Sequence, residues 1–371
     1  MSCGPEFDLI ERLFGQPQTA GPATPGMAAL QHPAALGIGD DAALLAPLPA
    51  GEQLVFASDL LVEGRHYFPE VDPRSLGHKL LAVNLSDLAA MGARPLAYTL
   101  SMAIRRSRVA APEQDPRARW LVELAAGLRG LADETGCALV GGDTVGLPDD
   151  QPETFSLAVL GTVPVGHALR RDGLVVGDQL WVSGHLGDGA WGVRHRVINQ
   201  RLGWPMPRLG LGERLRGLAH AAIDISDGLS SELLHLGRAS ARRLGQSLVL
   251  QVRLDALQAC LGPAIRAAVD QGEPGLLEAC RQAADSGDEY ELCFSAPAQA
   301  GPALAALSAD LGLPLTCIGE VCADAATATA NATAAGPSAR LVWRGPDNQR
   351  LPTDQCPSGG FDHFRAEVSG G

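Results

Sequence analysis

The sequence predicts an α/β protein with two domains, and three observations support this prediction. The chain has 371 residues, which is more than a single hydrophobic core usually organises. Apolar residues make up 46% of it, which is enough for sizeable cores. Short apolar runs typical of strands alternate with segments whose apolar residues recur at helical spacing. A Pro-Val-Gly segment at 164–166 marks the expected boundary, which predicts domains over 1–163 and 164–371.

The first expected elements lead to a strand that is followed by two polar residues. An amphipathic helix is expected over residues 6–14, and the stretch 16–35, which is rich in Pro, Ala and Gly, is expected to be a flexible connection. The apolar run 54–57 predicts a buried strand with Ser58 and Asp59 at its end.

Start and stop signals define the helices in the rest of the first half. Asp72 and Pro73 are typical of a helix start, and this helix is expected to run toward Gly92. Asp115 begins a second helix, which Gly136 ends. Strands are expected from Pro95, over 137–140 up to Gly-Gly-Asp-Thr, and over 154–163.

The second half contains turns of unusual composition. A strand over 179–183 runs into a glycine-rich turn at 184–189, where the start of a helix makes an anion site physically reasonable. A strand over 221–225 meets a helix with Ser226 or Asp227 as its expected N-cap. A segment rich in acidic residues over 285–289 precedes an expected strand over 290–295. Residues 323–339 are low in complexity and expected to be disordered.

The composition excludes several classes of protein. With a formal net charge of −13 and a pI near 5.1, the chain would not be attracted to nucleic acid or to an anionic membrane. No apolar run reaches membrane-spanning length, the first residues lack a signal-peptide pattern, and the eight cysteines show no C-x-x-C spacing. We therefore expect a cytoplasmic protein without a zinc knuckle, a disulfide framework, or nucleic-acid or membrane partners.

Lys79 is the only lysine in the chain. Its surroundings fit neither the G-x-x-x-x-G-K-[ST] of a P-loop nor the V-A-I-K of a protein kinase. If the protein handles a nucleoside triphosphate, metal ions, arginine and backbone amides must neutralise its charge. Arg171 and the glycines around Gly142 are candidates for this task.

Aspartate recurs beside small or hydroxyl residues, mostly at the ends of apolar runs. Asp40 and Asp41 are adjacent, and two like charges ~4 Å apart repel by on the order of 4 kcal/mol at an effective dielectric constant of ~20. A solvated turn is one explanation, since Gly-Asp is ordinary turn chemistry. A divalent cation is the other, because carboxylates gathered from several elements form an oxygen-rich site suited to Mg²⁺. The further aspartates of this kind are Asp59, Asp87, Asp143, Asp224 and Asp227.

Six motifs follow one another along nearly the whole chain, sparing only 16–35 and 323–339. They are Gly-Ile-Gly-Asp-Asp-Ala at 37–42, Asn-Leu-Ser-Asp-Leu-Ala-Ala-Met-Gly at 84–92, Gly-Gly-Asp-Thr at 141–144, Asp-Ile-Ser-Asp-Gly-Leu at 224–229, Tyr-Glu-Leu-Cys-Phe at 290–294 and Phe-Asp-His-Phe at 361–364. Together they closely resemble the bacterial thiamine-monophosphate kinases, a family of the aminoimidazole ribonucleotide synthetase-like superfamily.

The resemblance implies ATP-dependent phosphorylation of thiamine monophosphate to thiamine diphosphate, in thiamine diphosphate biosynthesis, by direct in-line transfer on several Mg²⁺ ions. It also implies the two-domain fold of that superfamily, with mixed sheets flanked by helices, and a homodimer formed by the N-terminal domains. No protein base is expected, because the substrate phosphate is already an anion.

Residue roles follow from the resemblance by motif. The implied metal ligands are Asp41, Ser58, Asp59, Asp87, Asp143, Asp224 and Asp227. The implied ATP contacts are Gly142, Asp143, Arg171 and Ser226, and the implied thiamine-phosphate contacts are His66, Asp288 and Phe361.

The chain departs from the family pattern at several positions, and other functions are open to it. The family often has Gly-Gly-Glu-Asp-Tyr where this chain has Ser-Gly-Asp-Glu-Tyr at 286–290, so either Asp288 or Glu289 is the substrate contact. Phe361 replaces a common tyrosine, and His66 has the alternative of an ordinary surface histidine. The rival functions are another synthetase of the superfamily, a metal-dependent phosphatase and a noncatalytic nucleotide-binding protein.

Overall fold

The computed structural model describes residues 13–14, 34–38, 40–109, 115–324, 336–357 and 359. Backbone contacts divide the chain into two compact units. Unit 1 comprises Met1–Leu88, Ala93–Ala168 and Gly203–Leu209, and unit 2 comprises Ala89–Gly92, Leu169–Leu202 and Gly210–Gly371. No helix within the described ranges is both long and apolar enough to cross a membrane.

Unit 1 is built on a four-stranded mixed sheet in the order β3-β6-β4-β5. Only β4 and β5 pair in parallel. Its strands are β3 (Glu52–Val62), β4 (Arg94–Arg105), β5 (Ala138–Leu147) and β6 (Thr154–Pro164), and a separate ribbon is formed by β1 (Ala34–Leu36) and β2 (Leu44–Leu45). The helices of this part of the chain are α1 (Pro73–Ala90), α2 (Arg106–Val109) and α3 (Pro116–Thr135).

Helices α1 and α3 touch backbone to backbone through two glycines. A Cβ atom on Gly77 would lie 2.0 Å from the carbonyl oxygen of Leu124, and one on Gly127 would lie 1.9 Å from that of Arg74. Any larger residue would force the helices apart, so the two glycines fix how closely α1, which carries predicted site residues, packs.

The two faces of the unit 1 sheet differ sharply in exposure. Phe155, Leu157 and Val159 on β6 are fully buried. The residues of β3 that point the other way include Leu54, Phe56 and Leu60, which are 51%, 67% and 54% exposed. Within one chain this second face therefore presents apolar side chains to solvent.

Unit 2 is built on a six-stranded mixed sheet in the order β12-β9-β11-β7-β10-β8. Only β12 and β9 pair in parallel. Its strands are β7 (Asp178–Ser183), β8 (Ala221–Asp224), β9 (Leu248–Arg253), β10 (Leu292–Pro297), β11 (Leu315–Ala323) and β12 (Ala339–Arg344).

The second half of the chain also contains seven described α-helices and three short 3₁₀ turns. The helices are α4 (Asp188–His195), α5 (Gln200–Gly203), α6 (Leu209–Leu215), α7 (Leu229–Leu244), α8 (Pro263–Asp270), α9 (Leu276–Ala284) and α10 (Gly301–Leu311). The 3₁₀ turns are Leu254–Cys260, Ala298–Ala300 and Thr353–Gln355. Two mixed sheets with helices confirm the predicted fold class.

Several sequence predictions are confirmed by these elements. Helix α1 begins at Pro73 as expected. Helix α3 has Asp115 as N-cap, whose Oδ1 accepts the Arg117 N–H at 2.8 Å, and Gly136 closes it with φ of 67°. These signals are local, so the sequence alone carries them.

Other predictions are wrong. Strand β3 does not end before Ser58 and Asp59 but continues to Val62, since it pairs with β6 along its whole length. The Gly-Gly-Asp-Thr motif likewise lies inside β5 and not after it. Neither Ser226 nor Asp227 caps α7, whose N-cap is Gly228 without a side-chain hydrogen bond.

The low-complexity region and the N-terminal stretch are only partly described. Strand β11 extends to Ala323 and β12 starts at Ala339, so both ends of the expected insertion are strands, and residues 325–335 lie outside the described residues. Leu13 and Phe14 are helical, as expected for 6–14, whereas residues 6–12 and most of 16–35 lie outside the described residues as well.

Candidate active site

In unit 1, Asn84 links the β3 strand to helix α1 at two predicted metal ligands. The backbone N–H of Asp59 donates to Asn84 Oδ1 at 3.1 Å, and Asn84 Nδ2 donates to the Leu80 carbonyl at 3.0 Å. Asn84 is fully buried. Asp87 follows Asn84 by three residues and therefore shares its face of α1. The structure thus brings the predicted ligands Asp59 and Asp87 to the same side of the β3–α1 contact.

Ser58 and Asp59 point to opposite faces of β3. Asp59 lies opposite the buried Leu157, whereas Ser58 lies opposite Ala158 on the face that exposes Phe56. Successive side chains of a strand alternate in direction. The two side chains therefore cannot both approach one ion from the same face of the sheet.

Asp143 lies at the far edge of the same sheet. The register places it opposite Ser101 on β4 and in one row with Leu60, on the exposed face. Strands β3 and β5 are the two edges, three spacings or ~14 Å apart. The sheet of one chain therefore does not bring Asp59 and Asp143 together.

Gly142 is required by packing within the sheet. A Cβ atom there would lie 1.9 Å from the Leu100 carbonyl oxygen. Asp143 Oδ1 accepts the Thr144 N–H at 2.8 Å, and both Gly142 and Asp143 are exposed. An exposed backbone without a side chain is what a phosphate contact at Gly142 needs.

Asp41 is exposed in a bend before β2, and its N–H donates to Asp40 Oδ1 at 2.8 Å. This is turn chemistry of the kind that explains the pair without an ion. Its role as a metal ligand remains a prediction.

The loop that carries His66 is held by buried charges. The Val62 N–H donates to His66 Nδ1 at 3.0 Å, so the neutral ring carries its proton on Nε2. Lys79 is only 4% exposed, and its Nζ donates to the His66 carbonyl at 3.1 Å. The single lysine therefore has a structural task.

A buried ionic network beside this loop was not found from the sequence. Glu153 is 1% exposed and receives a bidentate pair from Arg108 at 2.7 and 2.9 Å. Glu63 accepts from Arg105 and from the Glu153 N–H. Because these partners are more than 40 residues apart in the chain, only the fold reveals them.

In unit 2, Asp224, Asp227 and Glu232 form an acidic cluster. Asp224 is 5% exposed at the end of β8, and Glu232 on α7 is 4% exposed. Glu232 Oε1 accepts the Asp227 N–H at 3.2 Å. Burial raises the pKa of the Glu232 carboxyl to about 8, and the charge of Asp224 contributes to the rise. A neighbouring cation would relieve this repulsion.

Arg171 lies close to the acidic cluster. Its charge lowers the pKa of Glu232 against the dominant effect of burial, and it contributes, after burial, to the lowered pKa of His235. Arg171 and Ser226 are both exposed. The structure therefore brings together Arg171, Asp224 and Asp227, three of the residues implied by the resemblance.

The loop over 285–291, which we call the acidic loop, lies along the strand end that carries Ser226. The Asp288 N–H donates to the Ser226 carbonyl at 2.8 Å, and the Tyr290 hydroxyl donates to Asp288 Oδ1 at 3.0 Å. Asp288 and Tyr290 have positive φ angles of 59° and 50°. Such backbone conformations cost energy for side-chain-bearing residues and persist where surrounding contacts impose them.

Glu289 is buried and points away from Asp288. It is 0% exposed, and its Oε1 accepts the N–H groups of Gly187 at 2.7 Å and Gly189 at 3.1 Å. Of the two acidic neighbours, only Asp288 is therefore available to a ligand. The expected anion site at the glycine-rich turn is filled by the protein's own carboxylate.

The similarity of the chain to known proteins identifies its family. Residues 39–163 match the family model described as AIR synthase related protein, N-terminal domain. A thiamine-monophosphate kinase of Salmonella typhimurium is 36% identical over 366 residues, which cover 95% of this chain and 100% of that relative. The chain belongs to the thiamine-monophosphate kinase family.

Solved structures agree with the thiamine-monophosphate kinase fold. The thiamine-monophosphate kinase of Stenotrophomonas maltophilia K279a has a TM-score of 0.69 at 36% identity, covering 91% of this chain and 96% of that one. AaThiL complexed with AMPPCP and TMP has a TM-score of 0.66 at 20% identity, covering 96% of both chains. At that identity the second likeness shows the fold alone.

The donor set of this thiamine-monophosphate kinase family member fits Mg²⁺. No group of three or more His, Cys, Asp or Glu side chains in the described parts of the chain is arranged to hold a metal ion by itself. Mg²⁺ usually takes one or two carboxylates and completes its shell with water and substrate phosphates. Two carboxylates such as Asp224 and Asp227 therefore suffice.

The tail residue Phe361 lies outside the described residues. The Gly359 N–H donates to Asp285 Oδ1 at 3.2 Å, so the chain reaches the acidic loop two residues earlier. The predicted contact of Phe361 with thiamine phosphate remains a prediction.

The buried Glu289 makes stability depend on pH. Burial raises its pKa to about 7, against the opposing charge of Arg201. The protonated carboxyl favours the folded state, so this contribution is complete at low pH and is lost as the pH rises to about 7. The free energy of unfolding of the parent chain should therefore fall by on the order of 3 kcal/mol between pH 4.5 and 8 through this group. The Glu289→Gln protein should not show this fall, because glutamine does not titrate.

Urea unfolding of both proteins across this pH range measures the difference. Glu278→Gln is the control, because its carboxylate is 49% exposed and pairs with Arg281 on the surface of α9. If the Glu289→Gln protein and the parent chain lose stability in parallel as the pH rises, the raised pKa is contradicted.

Proposed function

We propose that this chain transfers the γ-phosphoryl group of ATP to thiamine monophosphate and releases ADP and thiamine diphosphate. The observation that carries this proposal is the 36% identity along the full length of a thiamine-monophosphate kinase. The acidic, lysine-poor character of the candidate site supports it, because phosphates must then be neutralised by metal ions and arginine. The same requirement follows from Lys79 being buried.

The roles of the residues are part of the proposal. Asp41, Ser58, Asp59, Asp87, Asp143, Asp224 and Asp227 would hold Mg²⁺, which supplies charge neutralisation of the triphosphate when bound. Gly142, Asp143, Arg171 and Ser226 would contact ATP. His66, Asp288 and Phe361 would contact thiamine monophosphate.

The residues of this chain would act by binding and alignment. The attacking group is a phosphate oxygen that is already ionised at neutral pH, so no side chain has to remove a proton. The Nε2–H of His66 can donate to a phosphate oxygen, and the Arg171 guanidinium can neutralise charge on the triphosphate. Holding the reacting atoms in line accounts for the remaining rate.

Turnover with defined substrates tests the proposal. We expect thiamine diphosphate to form when the protein is incubated with ATP, Mg²⁺ and thiamine monophosphate, with one ADP per product. A metal-dependent phosphatase would instead release inorganic phosphate from thiamine monophosphate without ATP. Absence of thiamine diphosphate with a folded protein would contradict the proposal, and a nucleotide-binding protein would then show binding of ATP alone.

We also propose a cytoplasmic homodimer formed through the exposed face of the unit 1 sheet. Leu54, Phe56 and Leu60 form a row of apolar side chains on its edge strand, and Val145 on the opposite edge is 50% exposed. Exposed apolar side chains gathered on one face in this way are typical of an interaction site. A second copy would also give Asp59 a way to meet an Asp143, which one sheet keeps apart.

A further inference from the structure

We infer that Arg201 is a positioning residue that holds the acidic loop. Through this loop it sets the distance of Asp288 from Asp224 and Asp227 in the proposed site. The inference rests on the proposed function, because it takes Asp224, Asp227 and Asp288 as ligand contacts. Nothing in the sequence motifs includes Arg201. Its side chain is 12% exposed.

Arg201 contacts two of the four acidic residues of the acidic loop, Glu289 and Glu291. Its Nη1 donates to the Glu289 carbonyl at 2.7 Å, and its Nη2 donates to Glu291 Oε1 at 2.9 Å. Its Nε lies 3.4 Å from Glu289 Oε2, which is an ion pair without hydrogen-bond geometry. Nη2 also donates to the His185 carbonyl at 3.0 Å, which joins the loop to the glycine-rich turn.

The two carboxylates that Arg201 pairs with are fully buried. Glu289 and Glu291 are each 0% exposed. Ser183 on β7 donates to Glu291 Oε2 at 2.6 Å. A Cβ atom on Gly184 would lie 2.0 Å from Glu291 Oε1, so the turn needs glycine there to admit the carboxylate. Two buried carboxyl groups that share one planar guanidinium have little freedom to move.

Backbone hydrogen bonds hold the predicted metal-binding segment against the acidic loop. Three backbone hydrogen bonds of 2.8 Å join the two: Asp288 N–H to Ser226, Tyr290 N–H to Ile225, and Ile225 N–H to Glu291. The segment they hold lies between Asp224 and Asp227. The Arg201 guanidinium therefore fixes where Asp288 stands relative to these two aspartates.

The position of the acidic loop should affect the alignment of the reacting atoms more than the affinity for either substrate. In-line transfer requires reacting atoms about 3–3.5 Å apart, and a misplacement of about 1 Å can cost on the order of 100-fold in rate. A lysine at position 201 keeps the positive charge but offers one ammonium group, which cannot reach two loop oxygens, the His185 carbonyl and Glu289 at once.

We expect Arg201→Lys to lower kcat at least about tenfold at saturating ATP and thiamine monophosphate, while either KM changes less than about threefold. Hydrogen exchange is the second measurement, with faster exchange expected at the amides of Ile225, Asp288 and Tyr290. Arg214→Lys is the control, because Arg214 is 49% exposed and pairs with Asp310 on the surface. The control should match the parent chain in both measurements.

Each outcome decides the inference. Unchanged kcat together with unchanged exchange in a folded Arg201→Lys protein overturns it, and unchanged kcat with faster exchange reduces Arg201 to a purely structural role, which also overturns it. If the parent chain itself makes no thiamine diphosphate, the proposed function fails, and exchange alone still tests whether Arg201 holds the loop. If Arg201→Lys does not fold, Ser183→Ala removes one hydrogen bond to Glu291 and should show the same pattern at smaller size.

Discussion

Asp59→Asn and Asp227→Asn should each lower kcat by at least about 100-fold at saturating Mg²⁺ and leave the fold intact. Each change removes one negative charge and keeps the shape of the side chain. In the folded protein the backbone N–H groups of these residues, and not their carboxylates, make the contacts with Asn84 and Glu232. Those contacts survive the substitution, so the loss should fall on catalysis and not on stability.

Asp133→Asn and Asp270→Asn are matched controls, because both aspartates are exposed at helical positions in α3 and α8. Steady-state rates measured as a function of Mg²⁺ concentration, with circular dichroism of each variant, provide the comparison. Near-parental rates for both Asp59→Asn and Asp227→Asn would remove these carboxylates from the proposed metal-binding set.

Mixing two inactive variants should restore activity if each proposed site uses both copies of a homodimer. Asp59 and Asp143 lie on opposite edges and opposite faces of the unit 1 sheet, about three strand spacings apart. In a heterodimer of Asp59→Asn with Asp143→Asn, one site would contain both substitutions and the other would contain neither. Random exchange of subunits would then recover about a quarter of the parental rate.

Subunit exchange followed by a turnover assay measures this recovery. Adding Phe56→Asp to both variants is the control, because it places a charge on the 67% exposed apolar position and should keep the copies apart. Recovery that persists with Phe56→Asp would place the interface elsewhere. No recovery in a protein that sedimentation shows to exchange subunits would mean that each site takes both aspartates from one chain.

The features that the sequence predicts well are those encoded within a few residues. The cap of α3 by Asp115, its end at Gly136 and the start of α1 at Pro73 are examples. The burial of Asp224 in an apolar strand also follows from its neighbours. The order of the motifs identifies the family because it combines many such local signals.

The features that the sequence misses depend on pairing between distant segments. Strand β3 is longer than its apolar run because β6 pairs with all of it. The glycine-rich turn looks like a ligand site until Glu289, about 100 residues away, is seen to occupy it. Glu232 and Arg201 act through contacts of the same kind, and the helix that follows Asp227 has Gly228 as its N-cap without a side-chain hydrogen bond.

The buried Lys79 has a consequence for covalent chemistry on this protein. No other lysine exists in the chain, and this one is 4% exposed. Acylating reagents, amine-directed cross-linkers and lysine-modifying enzymes therefore find almost no accessible ε-amino group in the native state. Labelling of Lys79 should become appreciable only when helix α1 separates from the His66 loop. The labelling rate of this one ε-amino group therefore measures how often unit 1 opens locally.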